Sequence, residues 1–386
     1  MNDVIVIGSG MVGAACAYHL SEAGLRVHVV ERGMPVSGTS SRCEGNILFS
    51  SKASVPELEL QTLSTELWQR FAVQADVDIE LEHKGGVLVG NSDASIIALE
   101  TYAAKQEAAG VRVDRLDRAG LYEHEPNLAA GFVGGLFYPD DMQVMPVVAA
   151  YSMLRAARKR GATITPHTEV TGLDLTADGE LRGITTRTGA VHAPTVVNCA
   201  GAWAGELTAQ WAAPLPVEPR RGYVLVTNPL PHVVNHKVYS AAYMDDVSSV
   251  DAALQSSLVV EGTKGGTVLI GASRERVGFD DQTRADIVQR LARQAIEVFP
   301  FLANASMLRF YQGFRPWAPG HLPIIGPDVH VPGLFHAVGH EGEGIGLSQG
   351  TGRLITEMVT GARLSMDARA FDPNRFVEGA QHAASV

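Results

Sequence analysis

The sequence predicts an α/β protein: a Rossmann-like domain joined to a second, α+β domain built on a mixed, largely antiparallel sheet. Three features lead there. A β–α–β unit is compressed into residues 4–31, the size expected of such a unit. Residues 222–270 are rich in alternating β-formers, the pattern of half-buried strands. Near the far end, Leu334-Phe335-His336-Ala337-Val338 reads as one more buried strand and empties into a glycine turn.

Each element has a local reason. Val4-Ile5-Val6-Ile7 is a continuous β-branched run, as in a strand buried on both faces. Gly8-Ser9-Gly10-Met11-Val12-Gly13 follows, then an alanine-rich helix over 14–23 that stops at Gly24. Val27-His28-Val29-Val30 is the second strand, closed by Glu31. Leu60, Leu63, Leu67 and Phe71 recur at helical spacing, and further helices are expected over 94–109, ending at Gly110, and over 147–160, ending at Gly161. Strands at 172–175 and 181–186 flank Asp178-Gly179, a hairpin signal. Val196-Val197 runs into Asn198-Cys199-Ala200-Gly201-Ala202-Trp203, a strand entering a glycine turn. Residues 287–299 form an amphipathic helix, and the turn over 339–346 opens a final helix reaching about Val359.

Composition narrows the function. A length of 386 residues suggests two or three domains, and 40 glycines with 46% apolar residues suit an enzyme with many tight turns. A net charge of -11 argues against nucleic acid as a partner, though a local arginine can still meet an anionic substrate. Cys16, Cys43 and Cys199 are too few and scattered for a disulfide framework or an iron–sulfur motif. The expectation is a reducing, cytoplasmic setting, with no secretory leader ahead of the first strand and no transmembrane segment. No HExxH or CxxC occurs, so no metal is expected.

Gly8, Gly10 and Gly13 match the G-x-G-x-x-G fingerprint. Its glycines allow the tight turn, the approach of a pyrophosphate and close helix–sheet packing. The helix N-terminus offers N–H donors to the phosphates, and Glu31 stands where a carboxylate binds ribose hydroxyls. The fingerprint alone does not choose between NAD and FAD. After Glu31, however, regular β–α repeats give way to the polar loop Gly38-Thr39-Ser40-Ser41-Arg42-Cys43-Glu44-Gly45-Asn46. An extended ligand touched by both ends of the chain fits FAD better.

Four features together resemble the D-amino acid oxidase, glycine oxidase and sarcosine oxidase superfamily of FAD enzymes. They are the fingerprint with Glu31, residues 197–203, Gly313-Phe314-Arg315-Pro316, and the Gly339-His340-Glu341-Gly342 turn. Leu322-Pro323-Ile324-Ile325-Gly326 follows Arg315 at a fitting distance. The resemblance runs from Val4 to about Thr360. The form of the last turn looks most like the flavin subunits of heteromeric opine, D-hydroxyproline and cyanide-forming glycine dehydrogenases.

The resemblance implies non-covalent FAD and oxidation of a carbon–nitrogen bond by hydride transfer to flavin N5. It implies a small carboxylate-bearing amine as substrate, with electron-transfer subunits or a second copy of the chain as partners. Residues 1–55, 140–212 and 313–375 would form the FAD-binding domain, 56–139 and 213–312 the substrate domain, and 376–386 a tail. Arg315 is expected to pair with the substrate carboxylate, its guanidinium fork matching it bidentately; otherwise it braces the turn before Pro316. In the family the last turn faces the flavin pyrimidine, so Gly339, Gly342, Gly344 and Ile345 are expected at the cofactor. His340 would add a donor or a positive charge there, or only cap the turn. Glu341 and Glu343 are out of place beside a developing anion; either they point away or they serve another partner.

Arg32, Ser40, Ser41, Arg42, Cys43, Gly45 and Asn46 are expected along the ring edge and its approach. Met11 and Val12 belong to the phosphate loop, Val170 to the adenine site, and Ala200, Gly201 and Trp203 to the turn after Val196-Val197. Tyr223, Tyr243 and His321 are candidates for the substrate pocket. Cys16 and Cys199 read as core residues.

Three other readings stay in view. An NAD-dependent dehydrogenase fits the first 31 residues. A flavin-binding assembly subunit without turnover is a second. Gly346-Leu347-Ser348-Gln349-Gly350 matches G-x-S-x-G, but a nucleophile elbow needs its serine on a sharp turn after a strand, whereas Ser348 falls inside a predicted helix.

Overall fold

Val4–Ile7, buried along its whole length, sits inside a six-stranded sheet. The computed structural model describes residues 2–52, 54–211, 214–240 and 254–376. In spatial order the strands are Ile324–Pro327, Leu334–Val338, Thr195–Asn198, Val4–Ile7, Val27–Val30 and Thr163–Thr165. Neighbours run parallel except at the Ile324–Pro327 edge.

Alternate residues of the central strand feed two different cores, which is what a β-branched run without polar interruption requires. Val4 and Val6 join a core roofed by the helices Met11–Glu22, Pro146–Lys159 and Gly344–Thr360. The first and last of these helices touch backbone to backbone: a Cβ on Gly352 would stand 2.7 Å from the Ala15 carbonyl. Ile5 and Ile7 face the opposite cluster. That side is covered by an antiparallel three-stranded sheet, Val170–Leu175, Leu181–Thr186 and Gly189–His192, whose first two strands form the expected hairpin.

The second sheet has eight strands. From one edge, Met307–Trp317 is followed by Glu218–Thr227, Val268–Arg274, Gln255–Gly262, Lys237–Ser240, Gly86–Gly90, Gly134–Tyr138 and Asp114–Asp117. Only Lys237–Ser240 and Gly86–Gly90 pair in parallel, so the sheet is mixed and mostly antiparallel. The amphipathic helix Ala285–Val298 packs its buried Ile287, Leu291 and Ala295 on one face. Met307–Trp317 pairs along nearly its full length with Glu218–Thr227, so the strand runs unbroken through residue 313, where the sequence suggested a domain boundary.

The last helix starts earlier than the glycine run suggested. It begins at Gly344, and Gly346 is already inside it. A Cβ on Gly346 would stand 2.7 Å from Gln61 Oε1 and 3.3 Å from the Ile47 Cα. That glycine lets the helix start press against its neighbours; it does not prolong the turn.

Candidate functional site

The phosphate loop is built by close approach of backbone. A Cβ on Gly13 would run into the Gly8 carbonyl oxygen, so only glycine lets the helix start here. Gly10 has no side chain to cap Met11–Glu22, which leaves first-turn N–H groups after Met11 for an anion. Met11 N donates to Ser40 Oγ at 2.9 Å, tying the following loop to the helix start. Glu31 accepts from Ser9 N (2.9 Å), Ser9 Oγ (2.8 Å) and Gly33 N (2.8 Å). These bonds hold its carboxylate in the lining of a cavity of about 590 Å³.

That cavity is lined by Gly8, Gly10, Glu31, Arg32, Ser40, Arg42, Val170, Ala200, Gly201 and Trp203, all of which the sequence had singled out. Trp203 stacks on Phe279 with ring centroids 5.1 Å apart, and the Arg32 guanidinium lies 4.5 Å from its ring centroid. Ser37, Thr168, Thr171, Arg187 and Phe314 also line the cavity; their sequence surroundings carried no signal beyond proximity to Arg32, Val170 and Arg315. A helix start, a glycine cradle and the Glu31 carboxylate lining one cavity suit a dinucleotide.

The loop after Gly38 continues from the cavity toward the second sheet. Ser41 Oγ donates to the Gly38 carbonyl at 3.0 Å, and Arg42 Nη1 donates to the Gln312 carbonyl at 3.1 Å. The half-buried Cys43 Sγ donates to the Ser40 carbonyl at 3.4 Å, and burial pushes its thiol up to about 12. Gly45 takes φ +96° against the Val144 carbonyl. Asn46 opens a two-residue strand paired with Met142–Gln143, and its Oδ1 accepts from the buried Lys237.

The closing turn resolves the oddity of its two glutamates. Glu341 pairs with the buried Arg220 and accepts from His321 Nδ1 at 2.9 Å. Burial acts to raise its carboxyl, but the bond from His321 and the charge of Arg220 outweigh that and hold it below the usual carboxylate range. Glu343 accepts from the fully buried Lys52 at 2.5 Å. Both carboxylates therefore serve cationic partners within the chain. Two residues of this assembly, His321 (φ +58°) and Glu341 (φ +46°), hold left-handed backbone that side chains rarely adopt.

Two expectations need correction, those for His340 and Tyr223. His340 is 3% exposed and bonded to Thr351 Oγ1 at 2.9 Å. Burial drives its imidazole down to about 3, so it brings no positive charge to the turn. Tyr223 is fully buried in the core under Ala285–Val298, where its hydroxyl donates to the Gln282 carbonyl and accepts from Arg284 N, each at 3.1 Å. It packs behind the sheet because residue 223 has the parity of Leu225, which faces the helix. Tyr243 lies outside the described residues. The Ser348 hydroxyl donates to the Ile345 carbonyl inside the last helix, buried and not on an elbow, which removes the hydrolase reading.

Arg315 is directly opposite Arg220 in the strand pair. Its Nη1 donates to the Ser273 carbonyl at 2.9 Å, and its guanidinium lies over Gly222, where any Cβ would collide with it. Arg220, Glu341 as its partner, and Glu44 in the polar loop are what sequence reasoning missed. Register could have flagged Arg220, since cross-strand neighbours share a face, but register is not visible in a single chain. Among the described residues no group of three or more His, Cys, Asp and Glu is placed to hold a metal ion, and no helix is long and apolar enough to cross a membrane.

Comparison with known proteins agrees with this geometry. The family model described as FAD dependent oxidoreductase matches residues 3–358. The hydrogen cyanide synthase subunit HcnC of Pseudomonas aeruginosa is 29% identical over 416 aligned residues, covering 97% of this chain and 96% of its own. Glycine oxidase of Geobacillus kaustophilus is 29% identical over 383, covering 97% of each. The crystal structure of that oxidase superposes with a TM-score of 0.88 over 97% of this chain and 98% of its own, at 27% identity.

Proposed function

This chain belongs to the FAD dependent oxidoreductase family, and from that premise we propose that it oxidises the carbon–nitrogen bond of a small amine bearing a carboxylate. Bound FAD would supply the hydride acceptor for that oxidation, whose imine product water would hydrolyse. The first-turn N–H groups of Met11–Glu22 would hold the pyrophosphate, and Glu31 a ribose hydroxyl. The helix Gly344–Thr360, whose N-terminus no side chain caps, is suited to hold negative charge on the reduced ring. The flavin would be held without a covalent bond.

The observation that carries the substrate class is Arg315. Its guanidinium lies over Gly222 on the sheet face opposite the covering helix, on the side from which the Ser40–Asn46 loop approaches. A guanidinium there orients a carboxylate and so fixes which carbon is presented. One relative is named a glycine oxidase and another a subunit of a hydrogen cyanide synthase. The second, a subunit by its name, favours a dehydrogenase that passes electrons to partner subunits.

The test is to mix the oxidised protein anaerobically with glycine, sarcosine, D-amino acids, D-hydroxyproline and opines and follow the flavin colour. Bleaching by at least one of them is expected, with recolouring by a dye acceptor and little by oxygen. No bleaching by any amine in the panel would overturn the reading. Fast recolouring in air would keep the substrate class and make the protein an oxidase.

A further inference from the structure

Glu44 sits in the loop between the phosphate site and the second sheet and is only 6% exposed. Its main-chain carbonyl accepts from Gln143 Nε2. Among the described residues, none donates a hydrogen bond to its carboxylate or forms an ion pair with it. A carboxylate this enclosed calls for an N–H-bearing or cationic partner.

The direction of the side chain narrows what that partner is. Glu44 Oε1 fills the space where a Cβ on Gly271 would stand, as the Arg315 guanidinium fills the space over Gly222. The two glycines belong to neighbouring antiparallel strands in which Leu225 pairs with Ile270. Val224 is therefore opposite Gly271, and Gly222 lies two residues along. Tyr223, Leu225 and Ile270 point into the helix-covered core, so Gly222 and Gly271 share the other face. A rise of about 3.4 Å per residue and a strand spacing of about 4.8 Å put the two positions about 8 Å apart. An α-amino acid spans about 3 Å from nitrogen to carboxylate oxygen, and a charge-assisted hydrogen bond of about 2.8 Å at each end brings the total to 8–9 Å.

Resting on the amine oxidation proposed above, we infer that Glu44 accepts an N–H from the substrate's amino group while Arg315 holds its carboxylate. One face of the sheet thus carries a carboxylate and a guanidinium spaced for a zwitterionic amino acid. The pair is a specificity filter. A simple amine brings no carboxylate to Arg315, and a simple carboxylic acid brings no N–H to Glu44.

A dead-end pair of ligands tests this without turnover. 2-Aminoisobutyrate has no α-hydrogen and cannot be oxidised; 2,2-dimethylpropanoate has the same shape with a methyl in place of the amino group. Their dissociation constants are read from the perturbation of the flavin spectrum in the holoenzyme. The wild type is expected to bind the amino acid at least about 10-fold tighter than its isostere. Glu44→Gln should weaken 2-aminoisobutyrate by about 10- to 100-fold and leave 2,2-dimethylpropanoate unchanged or tighter. Arg315→Ala should weaken both. An unaltered ratio in Glu44→Gln, or a wild-type flavin spectrum that neither ligand perturbs, overturns the inference. The flavin content of each variant reports its fold. If no amine bleaches the flavin yet the ratio collapses in Glu44→Gln, the oxidation fails and the binding role of Glu44 stands.

Discussion

On the proposed function, the glycine loop at residues 8–13 and the sheet face around Arg315 would recognise ligand by opposite means. The loop works with backbone: three glycines let a helix start and a strand end come close enough for N–H groups to meet an anion. The sheet face works with charged side chains from strands distant in sequence, Arg220 and Arg315, and with Glu341 and Glu44 from loops that reach it. A backbone site tolerates no added atom but is indifferent to net charge. A side-chain site tolerates bulk at its edges but depends on each charge. The two regions should therefore fail differently when altered.

The largest effect belongs to the backbone region. Gly13→Val places side-chain atoms on the Gly8 carbonyl, and the overpacked loop must open. The protein should purify nearly colourless, with FAD affinity lowered by about 100-fold or more, as read from the ratio of flavin to protein absorbance. A yellow Gly13→Val protein with full flavin content would break the contrast.

Arg315→Ala probes the other region. Its flavin content should match the wild type, because Arg315 is not among the residues lining the dinucleotide cavity. Substrates with a carboxylate should lose about 1.5–3 kcal/mol of binding, roughly 10- to 150-fold in kcat/KM, while uncharged amines lose little. An equal loss on both would remove Arg315 from the substrate.

His340 decides which region the last helix start belongs to. With its imidazole held neutral down to about 3 by burial, the turn acts through N–H groups and resembles the first loop. In the unfolded chain the same imidazole takes a proton below about 6.5. Protons thus favour unfolding as pH falls from about 6.5 toward 3. Between pH 7 and pH 5 the wild type should lose about 2 kcal/mol more stability than His340→Gln, measured by urea unfolding at each pH. Parallel losses in both proteins would mean that His340 is charged when folded, which would place the turn with the charged sheet face.

How much the sequence revealed follows the same division. The phosphate loop, Glu31 and the strand leading into Ala200 and Gly201 were legible because each lies within a few residues of the element that positions it. The mixed sheet was legible as a class, from the alternation over residues 222–270, but not in its register. Arg220 therefore went unnoticed, although it sits directly opposite Arg315. Glu44 went unnoticed because a glutamate in a polar loop looks solvated, and only the approach of that loop to Gly271 buries it. Gly346 read as turn because a glycine kept for a close approach and one kept for φ are the same letter.

Tyr223 is the smallest and sharpest probe of that blindness to parity. An aromatic in the β-rich middle suggested a pocket, whereas pairing of Leu225 with Ile270 turns residue 223 toward Ala285–Val298. There its hydroxyl links the sheet to the segment entering that helix through Gln282 and Arg284. Tyr223→Phe keeps the ring and removes only those two bonds. It should lower stability by about 1 kcal/mol and leave KM for the bleaching amine unchanged, since no atom on the ligand-facing side moves. A raised KM at unaltered stability would place the ring on the substrate's side of the sheet and reverse the assignment of faces on which the pairing of Glu44 with Arg315 depends.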